Sequence, residues 1–163
     1  MNLIYNAYFL RIAGENIPVS NDFTITGSVS PSFPDSRIVA IDELARDLEL
    51  IKDSKDITIS TERESPNATG SMALSFYIKG KRITEIKITA NLYDSNDVLI
   101  NTQYVFFTPD LLWERVIDKI IAVTDLTKTV TLKFENTSSV DPIYIAMPQF
   151  EEGSSSSAFV VGG

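Results

Sequence analysis

The 163-residue chain contains no cysteine and no histidine. Without cysteine there are no disulfides and no thiolate metal sites, and the redox compartment leaves no mark on the sequence. Without histidine there is no imidazole for Ser-His-Asp or Cys-His nucleophile systems, nor for the usual zinc and non-haem iron ligand sets. Positive charge is also scarce: 14 basic residues face 22 acidic ones, a formal net charge of −8. Lys and Arg are scattered, so counterion release on a phosphate backbone is a poor driving force, and nucleic acid is not an expected partner. No window approaches the length of a membrane span, and no membrane partner is expected. The opening Met1 to Leu10 lacks the basic start and continuous apolar run of a secretory signal, which gives an expectation of synthesis in a cytosol without a cleaved export signal.

What the sequence does contain is apolar alternation with a period of two, recurring between turn-forming residues. Met72, Leu74, Phe76 and Ile78 alternate with Ala73, Ser75 and Tyr77, and Gly80 ends the run. Ile86, Ile88, Ala90 and Leu92 alternate with Lys87, Thr89 and Asn91 and run into the turn Asp94-Ser95-Asn96-Asp97. A hairpin is expected there, with Val98, Ile100, Tyr104 and Phe106 as the apolar face of the return strand, interrupted by Thr102. Val105 and Phe107 add bulk to the other face. Further alternation falls at Val130, Leu132 and Phe134, and at Ile143, Ile145 and Met147. About eight short strands with polar turns imply an all-β sandwich.

Two stretches depart from this period. Ile41, Leu44, Ala45, Leu48 and Ile51 have helical spacing with Asp42 and Glu43 placed early, which predicts a short helix near 41–47. The run Leu111 to Val123 fits a helix or a doubly buried strand equally well. The last residues, Gly153 to Gly163, have linker composition around Ala158, Phe159, Val160 and Val161. The simplest division is one domain over 1–153 with a Ser/Gly-rich tail over 154–163.

Four short motifs carry a resemblance. Asn2-Leu3-Ile4-Tyr5-Asn6-Ala7-Tyr8-Phe9 looks like the opening "N-L-I-x-N-x-x-F" of jelly-roll domains similar to carbohydrate-binding modules, common in bacteriophage tail fibres and other virion proteins. Pro148-Gln149-Phe150-Glu151-Glu152-Gly153-Ser154 is similar to their closing "Q-[LF]-E-x-G" strand. Between them, Leu74-Ser75-Phe76-Tyr77-Ile78-Lys79-Gly80 resembles "L-S-F-x-x-K-G", and Trp113-Glu114-Arg115 resembles the "W" that begins a later strand. The four occur in the family's order over about residues 2–153. The family usually places a Trp soon after the opening motif; here Phe23 stands nearest that place. The resemblance implies a jelly-roll β-sandwich of about eight strands and turns the ambiguous run into a strand beginning near Trp113. It also implies a non-enzymatic virion protein, made in the host cytoplasm and displayed on the particle as a tail or fibre module for host-surface glycan binding, with other virion proteins and host-surface polysaccharide as partners. A capsid-decorating or head-fibre accessory protein without sugar affinity is the alternative.

Sugar binding on a sandwich needs flat aromatic faces for the apolar side of the ring and amides or carboxylates for the hydroxyls. Tyr93, Tyr104 and Trp113, with Gln103 nearby in sequence, form the candidate ligand set. Trp113, amid leucines, fits core packing better than stacking. The turn at Asp94 offers oxygen donors to a hard cation but lacks the glycine and distal glutamate of an EF-hand loop, so it reads as a hairpin turn. No metal, no cofactor and no catalytic residues are expected. The sequons at Asn67 and Asn136 are the number that this composition gives by chance. Phe159, Val160 and Val161 are the candidate assembly residues: a monomer would leave this apolar segment exposed, and fibres resembling this family are commonly trimeric, so a homotrimer is expected.

Overall fold

The computed structural model describes residues 23–27, 47–50, 55–63, 70–137, 141 and 143–157. These residues contain nine strands: β1 (Phe23–Gly27), β2 (Asp47–Leu50), β3 (Lys55–Glu62), β4 (Gly70–Lys79), β5 (Ile86–Tyr93), β6 (Leu99–Phe107), β7 (Glu114–Val123), β8 (Thr129–Asn136) and β9 (Ile143–Glu152). They form two antiparallel sheets, a five-stranded one in the order β1-β3-β8-β5-β6 and a four-stranded one in the order β2-β9-β4-β7. The all-β sandwich expected from the alternation is the architecture found.

Alternation becomes packing directly. In β5 the residues are buried and half-buried in turn from Ile86 to Tyr93, and β8 shows the same period from Thr129 to Asn136. Ile88 and Ala90 on β5 pair with Phe134 and Leu132 on β8, so the apolar side chains of adjacent strands point the same way. The opposing layer comes from Met72, Leu74, Phe76 and Ile78 on β4, with Ile143, Ile145 and Phe150 on β9. At the centre Phe76 and Phe134 meet edge to face across the sheets, ring centroids 5.8 Å apart at 88°. The ambiguous run around Trp113 is strand β7. Its pairing with β4 slips between Leu74 and Phe76, and Asp118 takes the left-handed conformation (φ 57°) at that bulge.

Two expectations change. Residues 41–46 of the predicted helix lie outside the described residues, but Asp47 and Leu48 belong to β2, because β9 offers them a backbone ladder through Ala146 and Ile145. The apolar face of β6 is also inverted. Val105 and Phe107 pack on the core, whereas Val98, Ile100, Tyr104 and Phe106 are exposed. The register decides this, since Val105 and Phe107 are paired with the inward-facing Ile88 and Ile86. The hairpin turn sets that register: Asp94 Oδ1 accepts the N–H groups of Asn96 and Val98 at 2.8 and 3.0 Å, and Asp97 takes φ 62°.

Polar groups lock one end of the sandwich. Arg63, just past β3, is 4% exposed. Its guanidinium donates to both carboxylate oxygens of Glu152 at the end of β9, at 2.9 and 3.2 Å. It also donates to the carbonyls of Thr124 and Thr127 in the β7–β8 turn. One side chain thereby ties the two sheets and a connection together. Arg63→Ala leaves two turn carbonyls and the more exposed Glu152 without this donor and is expected to cost about 1–3 kcal/mol, as for buried acceptors left unsatisfied. Lys128→Ala, removing an exposed pair with Glu62, should cost under about 1 kcal/mol; urea unfolding midpoints of the two variants check the contrast.

At another turn, Asp110 holds exposed Arg82 at 3.0 Å and also accepts the Leu111 N–H. The Arg82 hydrogen bond, then the Leu111 N–H, hold the Asp110 carboxyl below its ordinary value. A depressed carboxyl stabilises the fold above its unfolded pKa of about 3.9, and that contribution is lost as pH falls through the lower folded value. Carbon-detected NMR titration should find the Asp110 midpoint below the usual aspartate range, and Arg82→Ala should move it upward.

Candidate functional site

The inner faces are lined mainly by aliphatic and phenyl groups, and the polar groups open to solvent lie on the outer faces and the edges. On the five-stranded sheet the outward positions of β5 are Lys87, Thr89, Asn91 and Tyr93. The pairings place them in transverse rows. Phe106, Lys87 and Glu135 form the first, Tyr104, Thr89, Lys133 and Thr58 the second, Thr102, Asn91, Thr131 and Ser60 the third, and Tyr93, Thr129 and Glu62 the fourth. Rows lie about 6.7 Å apart and four strands span about 14 Å, so the face measures roughly 14 by 20 Å.

Its aromatic content lies on β6. Tyr104 is 56% exposed and Phe106 53%. Lys87 Nζ stands 4.8 Å from the Tyr104 ring centroid, a cation held against the ring by its quadrupole. Beside them the Thr102 hydroxyl donates to Asn91 Oδ1 at 2.8 Å, which leaves the Asn91 amide N–H groups aimed by that contact. The arrangement offers a flat apolar ring flanked by an ammonium group, hydroxyls, an amide and the Glu135 carboxylate. This is the chemistry that a polyhydroxylated ring requires: one apolar face to stack and a rim of hydroxyls to bond.

The four sequence candidates do not assemble as one set. Tyr93 and Tyr104 share this face two rows apart, about 13 Å along the strand. Gln103 points the other way: its amide donates to Ala122 O at 2.8 Å and accepts from Ala122 N at 3.0 Å. It thus clips edge strand β6 to edge strand β7, and both ends of its amide are used by the fold. Trp113 precedes β7 in the other sheet, half-buried, with Lys79 Nζ 5.2 Å from its ring. Sequence reasoning missed Phe106 and Lys87 because β6 was assigned the opposite inward face. The signal available was the pair Val105 and Phe107, whose alternation with Tyr104 and Phe106 is equally regular. Phe159, Val160 and Val161 lie outside the described residues.

No family model matches the chain, and no curated protein matches its sequence. Solved structures do match in three dimensions. The carbohydrate-binding module TmCBM61, solved with β-1,4-galactotriose, superposes with a TM-score of 0.59 at 14% identity over 92% of this chain and 97% of that one. The fold is a carbohydrate-binding-module-like jelly roll. The family 22 carbohydrate-binding module of Clostridium thermocellum Xyn10B gives a TM-score of 0.54 at 10% identity, over 92% of this chain and 98% of its own. The enzymatically active domain of tailspike protein 4 from bacteriophage CBA120 gives 0.59 at 12% identity; the match covers 80% of this chain but 19% of the tailspike chain. At such identities the jelly roll is what the proteins share.

On this jelly roll the two β6 neighbours should separate cleanly in stability. Gln103→Ala removes two backbone-directed hydrogen bonds between sheet edges and should cost about 1–3 kcal/mol. Tyr104→Ala, at an exposed position, should stay within about 0.5 kcal/mol. Equal urea midpoints for the two variants would remove the clip assigned to Gln103.

Proposed function

We propose that the chain is a non-catalytic glycan-binding module, made in the host cytoplasm and displayed on a bacteriophage particle as a tail or fibre module. The observation that carries the glycan reading is the exposed Tyr104–Phe106 pair on a polar sheet face of a carbohydrate-binding-module-like jelly roll. An apolar ring pair more than half exposed serves no purpose in the core, and the groups around it are hydrogen-bonding ones. Display on a virion draws support from the ordered sequence motifs and from the tailspike similarity. The association of chains as a trimer through Phe159, Val160 and Val161 belongs to the same reading.

A second reading is a capsid-decorating or head-fibre accessory protein without sugar affinity. Exposed Leu111, Leu112, Ile117, Ile120 and Leu126 favour it, since apolar side chains spread along β7 and its flanking turns suit contact with protein.

Affinity electrophoresis through gels containing envelope polysaccharides separates the two. The glycan reading expects retardation by a subset of polysaccharides and at least a tenfold loss of affinity in Tyr104→Ala, about 1.4 kcal/mol, with folding intact. Incubation with the same polysaccharides should release no new reducing ends. Absence of retardation by any host envelope polysaccharide would favour decoration.

A further inference from the structure

The chain does not leave the jelly roll at the end of β9. Gly153, at φ 119°, turns it back and donates its N–H to Ser71 O. Residues 154–157 then lie against the outer face of the four-stranded sheet. Ser156 and Asp118 on β7 exchange bonds, Ser156 N–H to Asp118 Oδ1 at 2.6 Å and Asp118 N–H to Ser156 Oγ at 2.9 Å.

Ser157 occupies a built polar site. Its N–H donates to Glu151 Oε1 at 2.5 Å and its hydroxyl to Glu151 Oε2 at 2.7 Å. Its carbonyl accepts from Gln149 Nε2 at 3.2 Å and from the Arg115 guanidinium, which also reaches Ser75 Oγ. Gln149 is fully buried and Glu151 95% buried. Burying a carboxylate and an amide on the outside of a sheet is costly unless their partners are supplied. Here they converge on a single residue.

The set that Ser157 satisfies is one N–H and one neighbouring O–H on a carboxylate, with one carbonyl on an amide and a guanidinium. A 2-acetamido sugar presents the same set within one ring: the acetamido N–H, the adjacent hydroxyl and the acetyl carbonyl. Farther along the same face stand ring systems that a sugar would stack on. Tyr77 lies one outward position beyond Ser75 on β4 and pairs with Arg115. Lys79 Nζ lies 5.2 Å from the rings of both Trp113 and Tyr144, and the buried Trp113 Nε1 has no hydrogen-bond partner.

We propose that the outer face of the four-stranded sheet is a second glycan site, selective for N-acetylated amino sugars, which residues 154–157 hold closed by presenting Ser157 in place of the ligand. The proposal rests on the carbohydrate reading of the jelly roll but not on the Tyr104 face.

Ser157→Pro in the full chain removes the strap's N–H and hydroxyl while leaving the sheet untouched. Tyr104→Ala, present in every arm, silences the five-stranded face. Trp113 is the one tryptophan of the chain, so its fluorescence reports on this face directly. Titration with triacetylchitotriose should give binding at least tenfold tighter for Ser157→Pro than for its parent. It should also be tenfold tighter than titration with cellotriose, which has the same linkage without acetamido groups. Adding Arg115→Ala should abolish the gain. Hydrogen exchange at the amides of 154–156 reports release of the strap, the Ser156 N–H being the one held by Asp118. A released strap without a fluorescence response, or equal response to the two trisaccharides, overturns the second site. Amides that stay protected in Ser157→Pro overturn the closing role of Ser157. Failure of the first reading is seen separately, as wild-type protein that no polysaccharide retards.

Discussion

Withdrawal of one face of each sheet from water is the constraint on which the rest of this structure depends. Ile86, Ile88, Leu132 and Phe134 from one layer, and Leu74, Phe76, Ile78 and Phe150 from the other, are all fully buried. Each such side chain contributes about 1.5–3 kcal/mol. With period-two geometry the inward choice fixes the outward one. Once Val105 and Phe107 join the interior, Tyr104 and Phe106 are left in solvent beside Lys87, Thr89 and Asn91. The candidate ligand face is therefore the complement of the core pattern, and no separate folding signal is needed to build it.

A two-layer sandwich leaves edges and ends where backbone groups need partners, and polar side chains meet that need here. Gln103 acts as a piece of ladder between β6 and β7. Arg63 gathers Glu152 and two turn carbonyls at one end. Glu151 and Gln149, neighbours of Glu152 on β9, capture the returning chain. The three devices close the sandwich where no strand pairing can, and the last of them covers part of one outer face. The two outer faces consequently differ: one presents aromatic and polar groups to solvent, the other carries a strap of serines.

Much of this fold was legible because alternation is a local property. Met72 to Ile78, Ile86 to Leu92 and Val130 to Phe134 announce their buried sides without knowledge of the partner strand, and Asp94-Ser95-Asn96-Asp97 announces its turn. Strand β6 was misread because both of its faces are apolar; only the register with β5 separates Val105 from Tyr104. Gln103 was misplaced for the same reason, since one step of register moves an amide from the ligand face to the sheet edge. The strap was not legible at all. A serine run has linker composition, and its capture by Glu151, Gln149 and Arg115 depends on side chains 6, 8 and 42 positions away. The short β2 was hidden too, because its ladder on β9 is non-local and its sequence carries helical spacing.

The proposed ligand face is the outer face of the five-stranded sheet. Mapping backbone amide shifts by NMR during titration with a polysaccharide fragment that the protein retains tests it most directly. The largest shifts are expected at Lys87, Thr89, Asn91, Thr102, Tyr104 and Phe106, with β9 and residues 153–157 unmoved. Shifts concentrated instead at Leu111, Leu112 and the exposed side of β7, with β5 and β6 unmoved, would contradict it.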